Sequence, residues 1–542
     1  MDGLMMNRPL RVADILTFAC EIHGDQGIVS STVEGGMHRQ NYAEMGVRSR
    51  RLAKALLRLG IGLGDRVATL AWNGYRHMEL YYAIPGIGAV CHTINPRLSS
   101  EQMTYIVGHA SDKAMFLDLS FVPLVEKLKS QFPAGMAYVI LTDRAHMPEN
   151  DLGALCYEDL LAAEDDAFDW PDFPETTACG LCYTSGTTGN PKGALFSHRS
   201  MVLHALMVGV QMPHCMQPGR RILPVVPLFH ANAWGLAHSA PLAGASLVMP
   251  GPHLDGASVF DLMEREKVFS AWGVPTVWLG LMEEIRRRGA VPKGFGEVVI
   301  GGSAAPTSMI RFYEQHGVSV CHAWGMTEMS PVGTLGFLSP AMLKLPAEDQ
   351  IRLKSCQGRR IFGVDLKIVD EDGNRLPHDG KAAGELFVRG NTVVSGYYDN
   401  PRASAEALDA EGWFGTGDVA SISPQGFLNI TDRAKDLIKS GGEWISSLDV
   451  ENLAMAHDHI ANCAVIAIPS EKWGERPVLI AVPAVDAPDT ADLMAHLAGH
   501  LAKWQLPDDV IYVADLPLTA TGKVSKLTLR MEYRGHRPAE AG

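Results

Sequence analysis

The chain has 542 residues, 47 Lys and Arg against 61 Asp and Glu, a formal net charge of −14, and 46% hydrophobic residues. At roughly 100 to 200 residues per domain this length predicts about two to four domains and excludes a small disulfide-stapled module. Acids dispersed along the chain exclude a basic nucleic-acid face, and 20% charged residues beside that apolar content exclude a disordered polymer.

The N-terminus, MDGLMMNRPLRVADIL, lacks the basic-then-apolar profile of a signal peptide. Nine cysteines without a regular framework fit a reducing compartment, so a cytoplasmic location is expected. Met45, Leu52, Leu56 and Leu59 recur on one helical face before Gly60, and RVATLAW follows as a strand. Ser99 and Gln102 fit a capping box opening a helix through about Gly108, with strand-like AMFLD from Ala114. The runs YVILT (138–142), EVVIGG (297–302) and VSVCHAWG (318–325) continue the alternation. Strands with intervening helices predict an α/β fold whose parallel-type sheets are covered on both faces. Cys179 and Cys182 form one CxxC inside the apolar run ACGLCY, which reads as a buried strand, and no second pair follows at zinc-ribbon spacing.

Residues 222–254 contain no Asp, Glu, Lys or Arg, but Pro224, Pro227, Pro241, Pro250 and Pro252 would break a spanning helix, so the segment reads as interior or pocket lining. After about residue 355, FGVDLKIVD and GELFVRG, separated by a DEDGN turn, form a β-rich part of the same large N-terminal domain. From about Arg433 helix and strand signals mix in a small α+β C-terminal domain. The expected division is 1–431 and 432–542, with the boundary at Thr431 to Arg433.

The most informative segment is YTSGTTGNPKG, 183–193. Its glycines let backbone N–H groups approach phosphate oxygens, its hydroxyls donate or ligate a metal, and Lys192 brings positive charge. It is not a P-loop. With Gly186 as the first glycine, Pro191 stands where the second belongs and Gly193 where Ser or Thr would bind Mg²⁺.

YTSGTTGNPKG resembles the signature of the adenylate-forming superfamily of acyl-CoA synthetases, adenylation domains and luciferases. GGSAAP (301–306), HAWGMTE (322–328), GELFVRG (384–390), GWFGTGD (412–418), DRAKDLIKSGGEWIS (432–446) and PLTATGK (517–523) follow in that family's order. The resemblance implies attack of a substrate carboxylate on the α-phosphate of ATP, release of pyrophosphate, and transfer of the acyl group from AMP to coenzyme A. Both reactants are anionic, so cationic groups must align and screen them.

The resemblance assigns roles residue by residue. Thr184, Ser185, Gly186, Thr187, Thr188 and Lys192 would hold the β- and γ-phosphates; Thr184 and Glu328 would hold Mg²⁺, and Thr327 would lie beside the α-phosphate. Adenosine would sit between Gly301, Gly302, Ser303 and Ala304 on one side and Ala323, Trp324, Gly325 and Met326 on the other, with Asp418 on the ribose and Arg433 on ribose or phosphate. Many relatives carry Tyr at the Trp324 position, so stacking is kept while a phenolic hydrogen bond is lost. Lys523 would neutralise the reacting oxygens, completing a catalytic set with Glu328, Thr184 and Lys192. A swing of the small domain about Asp432 would bring Lys439, Gly441, Gly442, Glu443 and Trp444 to a pantetheine path.

Acyl-pocket walls are expected from His230, Trp234, Val274, Trp278, Gly301 and Gly302. None of their segments carries Lys or Arg, so dicarboxylic acids are disfavoured. FHANAWG resembles medium-chain fatty acyl-CoA synthetases and 3-methylmercaptopropionate-CoA ligases, although Thr392 falls where those relatives often show Trp. The expected enzyme is an AMP-forming acid-thiol ligase for a short- to medium-chain or methylthio acid, using ATP, Mg²⁺ and CoA, without nucleic-acid or integral-membrane partners. A homodimer, an aryl acid or another acceptor stay open, as does a non-catalytic nucleotide sensor.

Overall fold

The computed structural model describes every residue except 2, 185–189, 434–435, 441–442, 471, 520–521 and 537–542. Among the described residues the strands form four sheets. A seven-stranded sheet runs in the order Leu155–Cys156, Ala137–Ile140, Ala114–Leu117, Arg66–Leu70, Val90–Thr93, Ala178–Thr184, Lys192–Ser197. Its pairs are parallel until the last, where Ala178–Thr184 turns back antiparallel on Lys192–Ser197. A nine-stranded sheet has parallel central strands, among them Arg221–Pro224, Ser270–Gly273, Glu297–Ile300 and Ser319–Gly325, with antiparallel strands at both edges. Central strands such as Glu297–Ile300 are buried at every position, which is why they read as unbroken apolar runs instead of alternating ones.

Local signals explain how the covering helices begin and end. Asn41 caps the helix Tyr42–Arg58 in a capping box with Glu44, and Met45, Leu52 and Leu56 are fully buried. Each such side chain contributes about 1.5 to 3 kcal/mol of transfer free energy. The expected box at Ser99 and Gln102 is present, and the helix Ser100–Ala110 stops where Ser111 turns left-handed at φ 53°. Cys179 and Cys182 are buried free thiols in the strand Ala178–Thr184.

The β-rich part is an antiparallel meander of Val364–Val369, Ala383–Gly390, Phe414–Ile422 and Leu428–Arg433. The fourth sheet uses only residues after the meander: Ile438–Ser440, Glu443–Ile445, Ile460–Ser470, Gly474–Pro483 and Asp509–Tyr512. Asp432 lies inside a paired strand, opposite Val419, so the chain leaves the meander only after Arg433. A residue held in a ladder cannot absorb a large φ/ψ change without breaking it. No described helix is long and apolar enough to cross a membrane.

Candidate active site

The phosphate-side residues sit on two adjoining elements. Thr184 pairs with Lys192 across the antiparallel strands, and its Oγ1 donates to the Lys192 carbonyl at 3.4 Å. Ser185, Gly186, Thr187 and Thr188 lie outside the described residues. Glu328, in the short turn Thr327–Met329 against the strand that ends at Thr184, is 6% exposed. Burial raises its carboxyl above the usual range; hydrogen bonding from Tyr397 and the charges of Arg433 and Lys192 oppose that shift. Tyr397 Oη donates to Glu328 Oε1 at 2.7 Å, and Lys192 Nζ lies 5.0 Å from the centroid of the Tyr397 ring. A buried carboxylate beside a hydroxyl-ended strand suits a hard divalent cation, which would offset the burial cost that now raises the Glu328 pKa.

On the nucleoside side, the meander presents Asp418, 3% exposed, directly opposite Arg433. Arg433 Nε pairs with Asp418 Oδ1 at 2.9 Å, and the Trp324 indole N–H donates to Oδ2 at 3.2 Å. Burial raises the Asp418 carboxyl, while Arg433, Trp324 and Lys523 hold it down. Both oxygens thus carry a protein partner and keep spare lone pairs for hydroxyl donors. The indole donor partly replaces what a phenol would supply.

Gly301 and Gly302 follow the strand Glu297–Ile300, with Gly302 at φ +81°. A Cβ at Gly301 would come within 2.9 Å of the Ala323 carbonyl, and one at Gly325 within 2.0 Å of the Pro331 carbonyl, so these positions exclude larger residues. Ser303 is exposed, and Ala304, Met326 and Thr327 are half-buried around the same opening. His322, which the sequence reading did not single out, supports this turn. Its Nε2 accepts from Ala305 N–H at 3.3 Å while its Nδ1 meets the Ser355 carbonyl at 3.1 Å. Burial lowers its pKa to about 4.

The acyl side contains a feature without a sequence signal. Ala231, Asn232, Ala233 and Trp234 all have φ between 44° and 59°, and Gly235 follows at 84°, making one left-handed turn. Left-handed backbone costs L-residues about 1 to 2 kcal/mol each. The turn delivers the Trp234 ring against the glycines: a Cβ at Gly301 would meet it at 3.1 Å, and one at Gly302 at 3.7 Å. Val274 Cγ1 lies 3.0 Å from the same Gly302 point. Trp278 does not join this wall. It is fully buried, packs in a separate core cluster, and donates its indole N–H to the Gly273 carbonyl at 3.0 Å. It braces the strand Ser270–Gly273 from the helix Pro275–Arg288.

Lys523 lies on a turn closed by Gly522 N–H to the Thr519 carbonyl at 2.9 Å. Its Cε is 3.7 Å from the Cβ point of Gly302, and its charge acts on both His230 and Asp418. Burial first, then Lys523, lowers the His230 pKa to about 4, so this imidazole is neutral at pH 7. Thr276 Oγ1 donates to the Gly522 carbonyl at 3.4 Å, tying the loop down beside Val274. Lys439 and Trp444 pair across the strands Ile438–Ser440 and Glu443–Ile445, the ammonium 5.0 Å from the indole centroid; both face solvent, as does Glu443. Gly441 and Gly442 lie outside the described residues. The arrangement thus gathers Lys192, Trp324, Asp418 and Arg433 from strands of three sheets, and Trp234, Gly302, Glu328 and Lys523 from turns. Tyr397 is the member that sequence reasoning missed.

A buried carboxylate, an aromatic side chain paired with a buried aspartate, and a lysine from the last sheet's domain together suggest a class, and comparison with known proteins places the chain in it. The chain belongs to the AMP-binding enzyme family: it matches that family over residues 19–398 and the AMP-binding enzyme C-terminal domain over residues 449–523. It is 46% identical to a 3-methylmercaptopropionyl-CoA ligase of Ruegeria lacuscaerulensis over 98% of this chain and 99% of that protein. It is also 46% identical to a medium-chain-fatty-acid–CoA ligase of Ectopseudomonas oleovorans, covering 98% of each. Its fold matches ATP-bound MatB from Rhodopseudomonas palustris at TM-score 0.81 and 26% identity, covering 96% of this chain and 99% of the other.

Proposed function

We propose that the protein is an AMP-forming acyl-CoA ligase that activates a short- to medium-chain or methylthio-substituted monocarboxylic acid with ATP and passes the acyl group to CoA. The observation that carries this reading is the placement of Lys523 against Gly302, within electrostatic reach of Asp418 and His230. There the lysine stands where a carboxylate and an α-phosphate would meet, and its charge offsets their repulsion. Thr184, Ser185, Gly186, Thr187, Thr188 and Lys192 hold the β- and γ-phosphates; Glu328 and Thr184 would hold a Mg²⁺ that screens them. Asp418, supported by Arg433, accepts the ribose hydroxyls, and Trp324 offers its plane to adenine.

The neutral His230 imidazole, Trp234 and Val274 form the wall for the acyl chain. The segments 229–235 and 273–278 that carry this wall hold no Lys or Arg, so they offer a second carboxylate no cationic partner. The two relatives at 46% identity support the medium-chain and methylthio classes. For the second step the small domain, from the turn after Arg433 onward, rotates Lys523 out and brings the Lys439–Trp444 hairpin in. The protein acts in the cytoplasm.

A panel of acids with ATP, Mg²⁺ and CoA, read by thioester mass and pyrophosphate release, tests the proposal. Fastest turnover with propionate- to decanoate-length or methylthio acids is expected. Fastest turnover with dicarboxylic or long-chain acids overturns the pocket reading, and formation of ADP instead of AMP overturns the reaction.

A further inference from the structure

We propose that Tyr397 is a positioning residue that holds Lys192 and Glu328 as two separate, unneutralised charges; the proposal rests on the adenylation reading above. Tyr397 lies in the segment between the strand Ala383–Gly390 and the helix Pro401–Ala407. That segment is fastened to both elements it serves. Val394 N–H donates to the Glu328 carbonyl at 2.8 Å, and Tyr398 N–H donates to the Gly193 carbonyl at 2.8 Å. The Tyr397 backbone N–H donates to Ser404 Oγ at 2.8 Å, and its ring packs on Phe414 with centroids 6.0 Å apart. From this anchored ring the phenol donates to Glu328 Oε1 at 2.7 Å, while the ring lies 5.0 Å from Lys192 Nζ.

Lys192 and Glu328 are opposite charges close enough to act on each other in a site that excludes water from Glu328. A direct ion pair between them would occupy the ammonium meant for phosphate and the carboxylate meant for a cation. Tyr397 gives each a partner without cancelling either. An aromatic face attracts a cation through its quadrupole and adds no negative charge. A phenol O–H gives a carboxylate one hydrogen bond and leaves its charge and remaining lone pairs in place. Tyrosine combines these two contacts in one rigid group. Phe keeps the spacing and loses the donor; Leu loses both.

The test uses the full chain and Mn²⁺ alone as the probe, its binding followed by electron paramagnetic resonance without nucleotide, so that Lys192 acts only as a competing charge. Acid-dependent pyrophosphate release and thermal midpoints are measured alongside. Tyr397→Phe is expected to weaken Mn²⁺ binding about three- to tenfold, the loss of one charge-assisted hydrogen bond, with a near-native midpoint. Tyr397→Leu is expected to weaken it further and to raise the KM for ATP. Adding Lys192→Met to the Leu variant should bring Mn²⁺ affinity back toward that of the Phe variant, because the competing ammonium is gone. Unchanged Mn²⁺ affinity in the Phe variant overturns the proposal, as does a Leu variant whose Mn²⁺ affinity fails to recover on adding Lys192→Met. Glu328→Gln separates the two levels: if it keeps native Mn²⁺ affinity, the assignment of Glu328 fails; if it loses affinity while Tyr397→Phe does not, only the role of Tyr397 fails.

Discussion

Trp324 carries two contacts that mutation can separate. Trp324→Phe keeps an aromatic plane but removes the N–H that meets Asp418 Oδ2 at 3.2 Å, leaving that buried oxygen less satisfied. Steady-state kinetics should show the KM for ATP rising about three- to tenfold, one hydrogen bond to a charged acceptor, with kcat changed less. Lys523→Ala should lower adenylate formation by about two to four orders of magnitude, while CoA thioester formation from supplied acyl-AMP survives. Equal loss of both steps would count against its role. At Ala231, with φ 44°, Gly is the unstrained residue, so Ala231→Gly should leave urea stability within about 1 kcal/mol of wild type or above it. The same exchange at Ala55, fully buried in the right-handed helix Tyr42–Arg58, should cost at least about 1 kcal/mol.

At the level of elements, the strand Leu428–Arg433 changes what a proline at 432 would do. As a hinge, Asp432 would tolerate Pro in the first half-reaction. As a strand residue paired with Val419, with its own carboxylate accepting from Ser447 N–H and Oγ at 2.7 and 2.5 Å, Asp432 would not. Asp432→Pro is therefore expected to impair both half-reactions and lower the thermal midpoint; impairment of thioester formation alone would restore the hinge. The residues show why one kind of feature was legible and another was not. Ser99 and Gln102 announce a helix start because both partners of the capping box lie three positions apart. The left-handed turn at 231–234 was hidden because only Asn232 and the following Gly235 favour positive φ, while Ala231, Ala233 and Trp234 give no sign of it. Tyr397 was hidden for another reason: its meaning exists only when segments around 192, 328 and 397 meet. Trp278 lies on the helix Pro275–Arg288, whose buried face packs in a core cluster separate from the one that holds Trp234. Glycine-rich and charged motifs, by contrast, kept their order along the chain and arrived at one opening.

Across the whole molecule, several histidines are held neutral by burial: His77, His198 and His322 at about 4, and His204 and His238 at about 3. Each binds its proton in the unfolded chain near pH 6.5 but not in the folded one. The unfolded state therefore takes up more protons as pH falls, so stability is complete above about 6.5 and declines toward the folded values. Each group contributes up to about 1.4 kcal/mol per pH unit in that window. Urea midpoints measured from pH 7.5 to 5.5 should fall steeply; a flat profile would contradict neutral burial.

The Asp432 contacts also bear on how the molecule divides its time. Ser446 Oγ donates to the Thr431 carbonyl at 2.7 Å, and Ser447 makes two donations to Asp432, so three hydrogen bonds join the last strand of the meander to the helix Ser447–Ala454. Lys526, three residues past Lys523, reaches Ser447 Oγ at 2.5 Å and Glu451 Oε1 at 2.7 Å, adding weight to the same knot. A rotation beginning after Arg433 must break those three bonds. If the small domain alternates as proposed, bonds of about 1 kcal/mol each would weight the two orientations by about two orders of magnitude toward the one that presents Lys523. On the proposed cycle the enzyme waits in readiness for ATP and acid, and the thiol-accepting form is a minority species that AMP formation must call up. The serine pair at 446 and 447 thus acts as a thermodynamic clock setting: Ser447→Ala should raise the thioester-forming fraction in the absence of substrate, seen as a shift in the distance between spin labels on the two domains.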